Sequence, residues 1–234
     1  MKQFVKVLSL LLCVSFFLSG CGVWFTNDIT GQNALFIGVT DTRVDTLENL
    51  PDFSDEPYVI LNDNKPEFTD DMLSDKAYEF YSELDELGRC GYVMACVGNE
   101  TMPTQERGEI GMIKPTGWHT VKYDNVDGKY LYNRCHLIGF QLTGENANKK
   151  NLITGTRYLN VEGMLPFENM VADYIKESGN HVMYRVTPIY NGLDYVAQGV
   201  LMEAYSVEDN GEGICFFVYC YNESENNNKK HQQK

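Results

Sequence analysis

At 234 residues the chain can hold one ordinary domain plus targeting and connecting segments, and its 43% hydrophobic content is that of a globular protein. A formal charge of −14 stands against a strongly basic nucleic-acid binder, in which phosphate contacts dominate. No CxxC pair or Cys/His cluster has zinc-ligand spacing, which sets aside a structural zinc module.

The first six residues include Lys2 and Lys6, and residues 7–18 are an apolar run, the two leading parts of a secretory signal. The run is too short to span a bilayer comfortably. Leu18-Ser19-Gly20-Cys21 follows and resembles the lipobox of bacterial lipoproteins, in which cleavage precedes a cysteine that carries the lipid. An ordinary secretory signal cut nearby is the alternative. Both readings export the mature chain, and the first anchors it through Cys21 to the outside of the bacterial cell membrane.

Residues 21–56 show no sustained periodicity and read as an acidic tether behind a signal peptide of residues 1–20. Residues 22–85 hold 15 acidic and 3 basic residues, against 18 and 14 from residue 86 to 234, so the acidity belongs mainly to the front of the chain. The domain is expected over residues 57–221.

Residues 57–61 look like a strand, 62–66 like a turn, and 69–87 like a helix with Thr69 as its N-cap. Residues 91–97 are an apolar strand. Two strands, 118–123 and 129–134, are expected around the Asn125-Val126-Asp127-Gly128 turn, with His136 at the exit of the second. A loop carrying Asn146, Asn148, Lys149, Lys150 and Asn151 follows.

Residues 163–178 then read as a helix that starts near Pro166, with Leu165, Phe167, Val171 and Ile175 as its apolar face. Residues 182–190, 195–206 and 214–221 are β-rich, the first pair joined through Asn191-Gly192. The polar tail from residue 222 reads as disordered. The whole is one α+β domain with a mostly antiparallel sheet.

Five cysteines remain after Cys13 and Cys21 are set aside, so at least one has no internal partner. Cys90 and Cys96 lie about 20 Å apart at strand rise, beyond the bridging limit of about 7 Å between Cα atoms. Cys215 and Cys220 fail in the same way if they share a strand.

Of the four histidines, His231 lies in the tail, and His119 and His181 sit on strand candidates where a surface or satisfied core role is the default. His136 differs because it ends a hairpin strand directly before a loop dense in Asn and Lys. Asn151, Asn160 and Glu168 follow at spacings of nine and eight, bringing amide and carboxylate oxygens opposite that hairpin. Oxygen ligands suit Mg²⁺, which keeps several waters and needs one or two protein contacts. The bland alternative makes Asn160 a cap and Glu168 a solvated first-turn acid.

Across residues 57–221 the chain resembles the non-specific DNA/RNA endonucleases with a ββα-metal (His-Me finger) core, especially secreted bacterial DNases and DNA-entry nucleases. That family ends its second strand in Asp-Arg-Gly-His, and here the stretch is Asn133-Arg134-Cys135-His136. The family's metal-binding Asn, nine and eight residues from its flanking Asn and Glu, matches Asn160 between Asn151 and Glu168. The resemblance implies a ββα-metal core, His136 as general base, catalytic roles for Arg134 and Glu168, and a metal on Asn160. It also implies that Glu168 holds a metal-bound water that Asn151 orients.

Mg²⁺ is the implied ion, with Mn²⁺ as the alternative. The implied substrate is DNA, with RNA as a second substrate, cut to 5′-phosphate products with little sequence preference. Asn133 and Cys135 depart from the motif. Ala172 stands where some relatives carry a phosphate-binding Arg, leaving Arg157, Lys149, Lys150 and Arg107 as candidates. Two rival readings are an inactive, nuclease-like surface binding lipoprotein and an exported two-metal phosphatase.

Overall fold

Residues rich in β-branched and aromatic side chains build an antiparallel meander at the centre of the computed structural model, which describes residues 50–120 and 131–223. Its strands are β1 (Tyr58–Ile60), β2 (Tyr78–Tyr81), β3 (Val93–Val97), β4 (Tyr132–His136), β5 (Leu152–Thr156), β6 (Val182–Ile189), β7 (Gly199–Ser206) and β8 (Cys215–Tyr221). Six of them form one antiparallel sheet in the order β1-β8-β7-β6-β3-β2, and β4 pairs with β5 in a separate ribbon.

Strand alternation decides which face each residue serves. On one face, Ala95, Tyr184, Ala204 and Phe216 stand in register across four strands, and all are buried. Helix α2 (Leu165–Ser178) shares their core through Phe167, Val171, Ala172 and Ile175, after a short helix, α1 (Phe140–Thr143). Fully burying a side chain such as Val171 or Ile175 contributes roughly 1.5–3 kcal/mol. Leu165, expected on this face, is instead 36% exposed at the first position of the helix. Gly179 closes α2 in the left-handed conformation, φ 74°, its N–H bonded to the Ile175 carbonyl.

On the opposite face Arg185 and Glu203 face each other across β6 and β7 and form a buried ion pair, Nε to Oε2 2.6 Å. The Glu67 N–H donates to Glu203 at 2.8 Å, and Arg185 donates to the Glu67 carbonyl at 3.2 Å. Phe68 lies beneath the guanidinium. The segment after β1 is thereby fastened over this face.

Two expected elements differ. No helix forms over residues 69–87; the stretch contains a turn at Thr69–Met72, β2, and a second turn held by Asp85, whose carboxylate accepts the Leu87 and Arg89 N–H groups. Leu73, Ala77, Phe80, Tyr81 and Leu84 have helical spacing, but the β-prone Tyr-Glu-Phe-Tyr run pairs with the buried strand β3, and tertiary pairing wins.

The expected hairpin partner of the His136 strand also differs. β4 pairs with β5, a strand not anticipated between loop and helix, and residues 118–120 are irregular. The Asn125 to Gly128 turn lies outside the described residues, as do residues 1–49 with the expected signal peptide and Cys21, and residues 224–234 of the tail.

Candidate active site

The ribbon, the turn after it and α2 place β-strand, β-strand and helix around one pocket. It has a volume of about 810 Å³, and its wall includes Arg107, Arg134, His136, Arg157, Asn160 and Glu168.

His136 closes β4 and is 5% exposed. Its Nε2 is 2.7 Å from the Asn146 carbonyl and its Nδ1 is 3.2 Å from Arg107 Nη2. A carbonyl only accepts and a guanidinium only donates, so the proton belongs on Nε2 and the lone pair on Nδ1. Burial pushes the imidazole pKa down, the Asn146 carbonyl opposes this, and the Arg107 charge pushes it down further. The net effect favours the neutral imidazole.

Asn151 is fully buried, and its amide is spent on one neighbour. Oδ1 accepts the Ile138 N–H at 2.9 Å and Nδ2 donates to the Ile138 carbonyl at 3.0 Å. It clamps the backbone two residues beyond His136. The structure thus gives Asn151 a backbone contact where the resemblance implied a water.

Asn160 lies on a π turn, Leu159–Met164, in which the Leu165 N–H reaches back to the Asn160 carbonyl. The cause is local. Pro166 has no N–H to donate to the carbonyl four residues back, and its ring crowds that carbonyl, so the helical path widens before it.

Glu168, on the first turn of α2, is 9% exposed and not a solvated acid. Burial raises its pKa to about 7, against the lowering effects of the Arg107 charge, the Gln141 side chain and the Gly139 N–H. Gly139 makes the approach feasible, since a Cβ there would lie 2.5 Å from a Glu168 oxygen. Asn146 and Gly139 were not singled out for these roles in the sequence, because a backbone carbonyl and a missing side chain leave no motif.

The departures at 133 and 135 are accommodated. Cys135 is buried with ordinary backbone, outside the positive-φ residues, and its sulfur fills the space left by Gly155 on the facing strand, where a Cβ would be 2.4 Å away. All five described cysteines are unbridged.

Arg134 faces the pocket, but its guanidinium is committed to the preceding loop. It donates to the Ile113 and Gly111 carbonyls at 2.5 and 3.0 Å and stacks on Trp118 at 3.9 Å. Of the candidate phosphate ligands, Arg107 and Arg157 line the pocket. Lys149 is exposed away from it, and Lys150 pairs with Glu83.

Among the described residues no three His, Cys, Asp or Glu side chains gather as a metal-holding group. A hard cation that keeps most of its waters does not need one. The Asn160 amide and the buried Glu168 carboxylate on the same wall fit that sparse demand, and a cation there would offset the cost of burying Glu168.

The family model described as DNA/RNA non-specific endonuclease matches residues 69–208. Among solved structures, NucA from Streptococcus agalactiae with magnesium ion bound is 26% identical, with a TM-score of 0.66 over 76% of this chain and 85% of that one. Its metal-free form is 25% identical, with a TM-score of 0.64 over 80% and 92%. The Sda1 nuclease with bound zinc ion, at 24% identity and a TM-score of 0.61 over 73% and 92%, shares the fold. No curated protein matches the chain.

Proposed function

The chain belongs to the DNA/RNA non-specific endonuclease family and is a nucleic-acid-hydrolysing enzyme, and from that premise we propose that His136 is its general base. The observation that carries the reading is the setting of His136: buried, with Nε2 against the Asn146 carbonyl and Nδ1 against Arg107, on the wall of a pocket that Asn160 and Glu168 also line.

Cleavage needs a deprotonated water in line with phosphorus. Nδ1 accepts that proton once the Arg107 guanidinium, which holds the same lone pair at rest, is drawn onto the scissile phosphate. Arg157 supplies a second cationic contact on the pocket wall. Asn151 keeps the strand end rigid by gripping Ile138, and Arg134 holds the loop that delivers Arg107.

Asn160 would hold a divalent ion directly and Glu168 through water, and that ion supplies Lewis-acid relief of charge at the phosphate and the departing 3′ oxygen. Mg²⁺ is the ion we assign, by likeness to magnesium-bound NucA, with Mn²⁺ as a substitute. Contacts to phosphate carry no base information, which favours DNA and RNA cleavage with little sequence preference.

His136→Ala should lower the cleavage rate by about 10²–10⁴-fold while DNA affinity and melting temperature hold. A variant that cuts at near wild-type rate removes His136 from catalysis.

We further propose that the enzyme works outside the cell, carried on a lipid at Cys21, with residues 1–20 as the signal peptide and residues after 21 as the tether. The support is the apolar run and Leu18-Ser19-Gly20 before Cys21. Cys21→Ser should move the protein from the membrane fraction to the medium. Unchanged fractionation would refute the anchor.

A further inference from the structure

The acidic tether was expected to reach residue 56, but its last residues are built into the domain. The Phe53 ring sits edge-on between two tyrosines, with centroids 5.9 Å from Tyr158 and 5.5 Å from Tyr221. Two hydrogen bonds fasten the same stretch. The Tyr158 hydroxyl donates to the Asp55 carbonyl at 2.9 Å, and the Tyr221 hydroxyl to the Pro51 carbonyl at 2.7 Å.

Both tyrosines adjoin elements that frame the site. Tyr158 immediately precedes the π turn and lies two residues before Asn160. Tyr221 ends β8, and its neighbour Asn222 accepts the Thr156 N–H at 2.8 Å and donates to the Thr154 carbonyl at 3.3 Å, which fixes β5. The stretch 51–55 therefore bears on the residue that leads into the turn presenting Asn160, and none of residues 51–55 lines the pocket.

We propose that residues 51–55 are a strap that positions the Asn160 turn, with Phe53 and Tyr158 as positioning residues for the divalent ion. The inference rests on the assignment of Asn160 as the metal-holding residue. A site with one direct protein ligand has no second ligand to correct a misplaced first, so its affinity depends on how firmly that ligand is held. A π turn is wider than an α turn and its hydrogen bonds alone hold it less firmly, so an outside brace has work to do. Edge-on rings contribute about 0.5–1.5 kcal/mol beyond the area they bury.

The test uses the chain from residue 22 onward with Phe53→Ala, Tyr158→Phe, Phe53→Leu and, as reference, Asn160→Ala. Mn²⁺ binding without nucleic acid is followed by calorimetry, alongside melting temperature and the KM for DNA at saturating Mg²⁺. Phe53→Ala should bind Mn²⁺ about tenfold more weakly, Tyr158→Phe should shift the same way by less, and Phe53→Leu should recover most of the loss. The KM for DNA should move less than the Mn²⁺ affinity, because Arg107, the contact beside His136, lies on a different loop.

If Asn160→Ala loses Mn²⁺ while folded Phe53→Ala and Tyr158→Phe bind it like wild type, the strap has no positioning role. If Asn160→Ala itself binds like wild type, the metal assignment fails and the strap inference with it. Should Phe53→Ala not fold, Tyr158→Phe decides, since it removes one oxygen and leaves the ring stack.

Discussion

Glu168 binds a proton more tightly in the folded chain than an ordinary carboxyl does, at about 7 against 4.5. Between those values the folded state holds a proton that the unfolded state has lost, so stability falls as pH rises through this window and the deficit is complete above it. Its size is roughly 3 kcal/mol for a shift of this order. In chelator, Glu168→Gln should therefore melt higher than wild type at pH 8 and no higher at pH 4, as a thermal-shift series would show. Mg²⁺ should raise the wild-type melting temperature more than the variant's, because the cation restores a partner to the buried charge. A variant that melts lower at both pH values would mean that the carboxylate is already compensated. His136 shifts in the opposite sense: burial first, then the Arg107 charge, lowers its pKa from the ordinary histidine value and favours the neutral imidazole.

The second face of the large sheet depends on one cross-strand pair. Arg185 and Glu203 have side chains 3% and 2% exposed, and Glu203 also caps the Glu67 N–H. Glu203→Ala leaves the guanidinium buried without its counter-charge and should cost about 3–5 kcal/mol in urea unfolding. A loss below about 1 kcal/mol would show that the segment after β1 can open and admit water to Arg185. The central strands were legible in sequence because β6, β7 and β8 are long, apolar and bounded by turn residues, and α2 because Pro166 and Gly179 bracket a helical period. His136, Asn160 and Glu168 were legible by spacing and resemblance, and the structure brings all three to one pocket wall. The β2 segment misled because four aromatic-rich residues are too few to separate the two periods, and β5 was missed because its Gly155 has no side chain to mark a strand. The strap at 51–55 had no local pattern, since its partners, Tyr158 and Tyr221, are more than 100 residues away in sequence.

The molecule places its charge in two regions. Its formal −14 lies mostly in residues 22–85, whereas Arg107, Arg134 and Arg157 line the pocket, so the field that a phosphate meets differs in sign from the whole. The order of the chain matters as well. β1 is paired with β8, and the ribbon that carries His136 is tied to the frame by Asn222, which bridges Thr154, Thr156 and the Ala197 carbonyl. Asn222 follows every residue of the pocket in the chain, so the tie between ribbon and frame is the last of these contacts to become available. Until it is made, β5 lacks these hydrogen bonds and β1 lacks its partner β8. The position of a single asparagine thus makes the ribbon's anchorage depend on the last described residues of the chain.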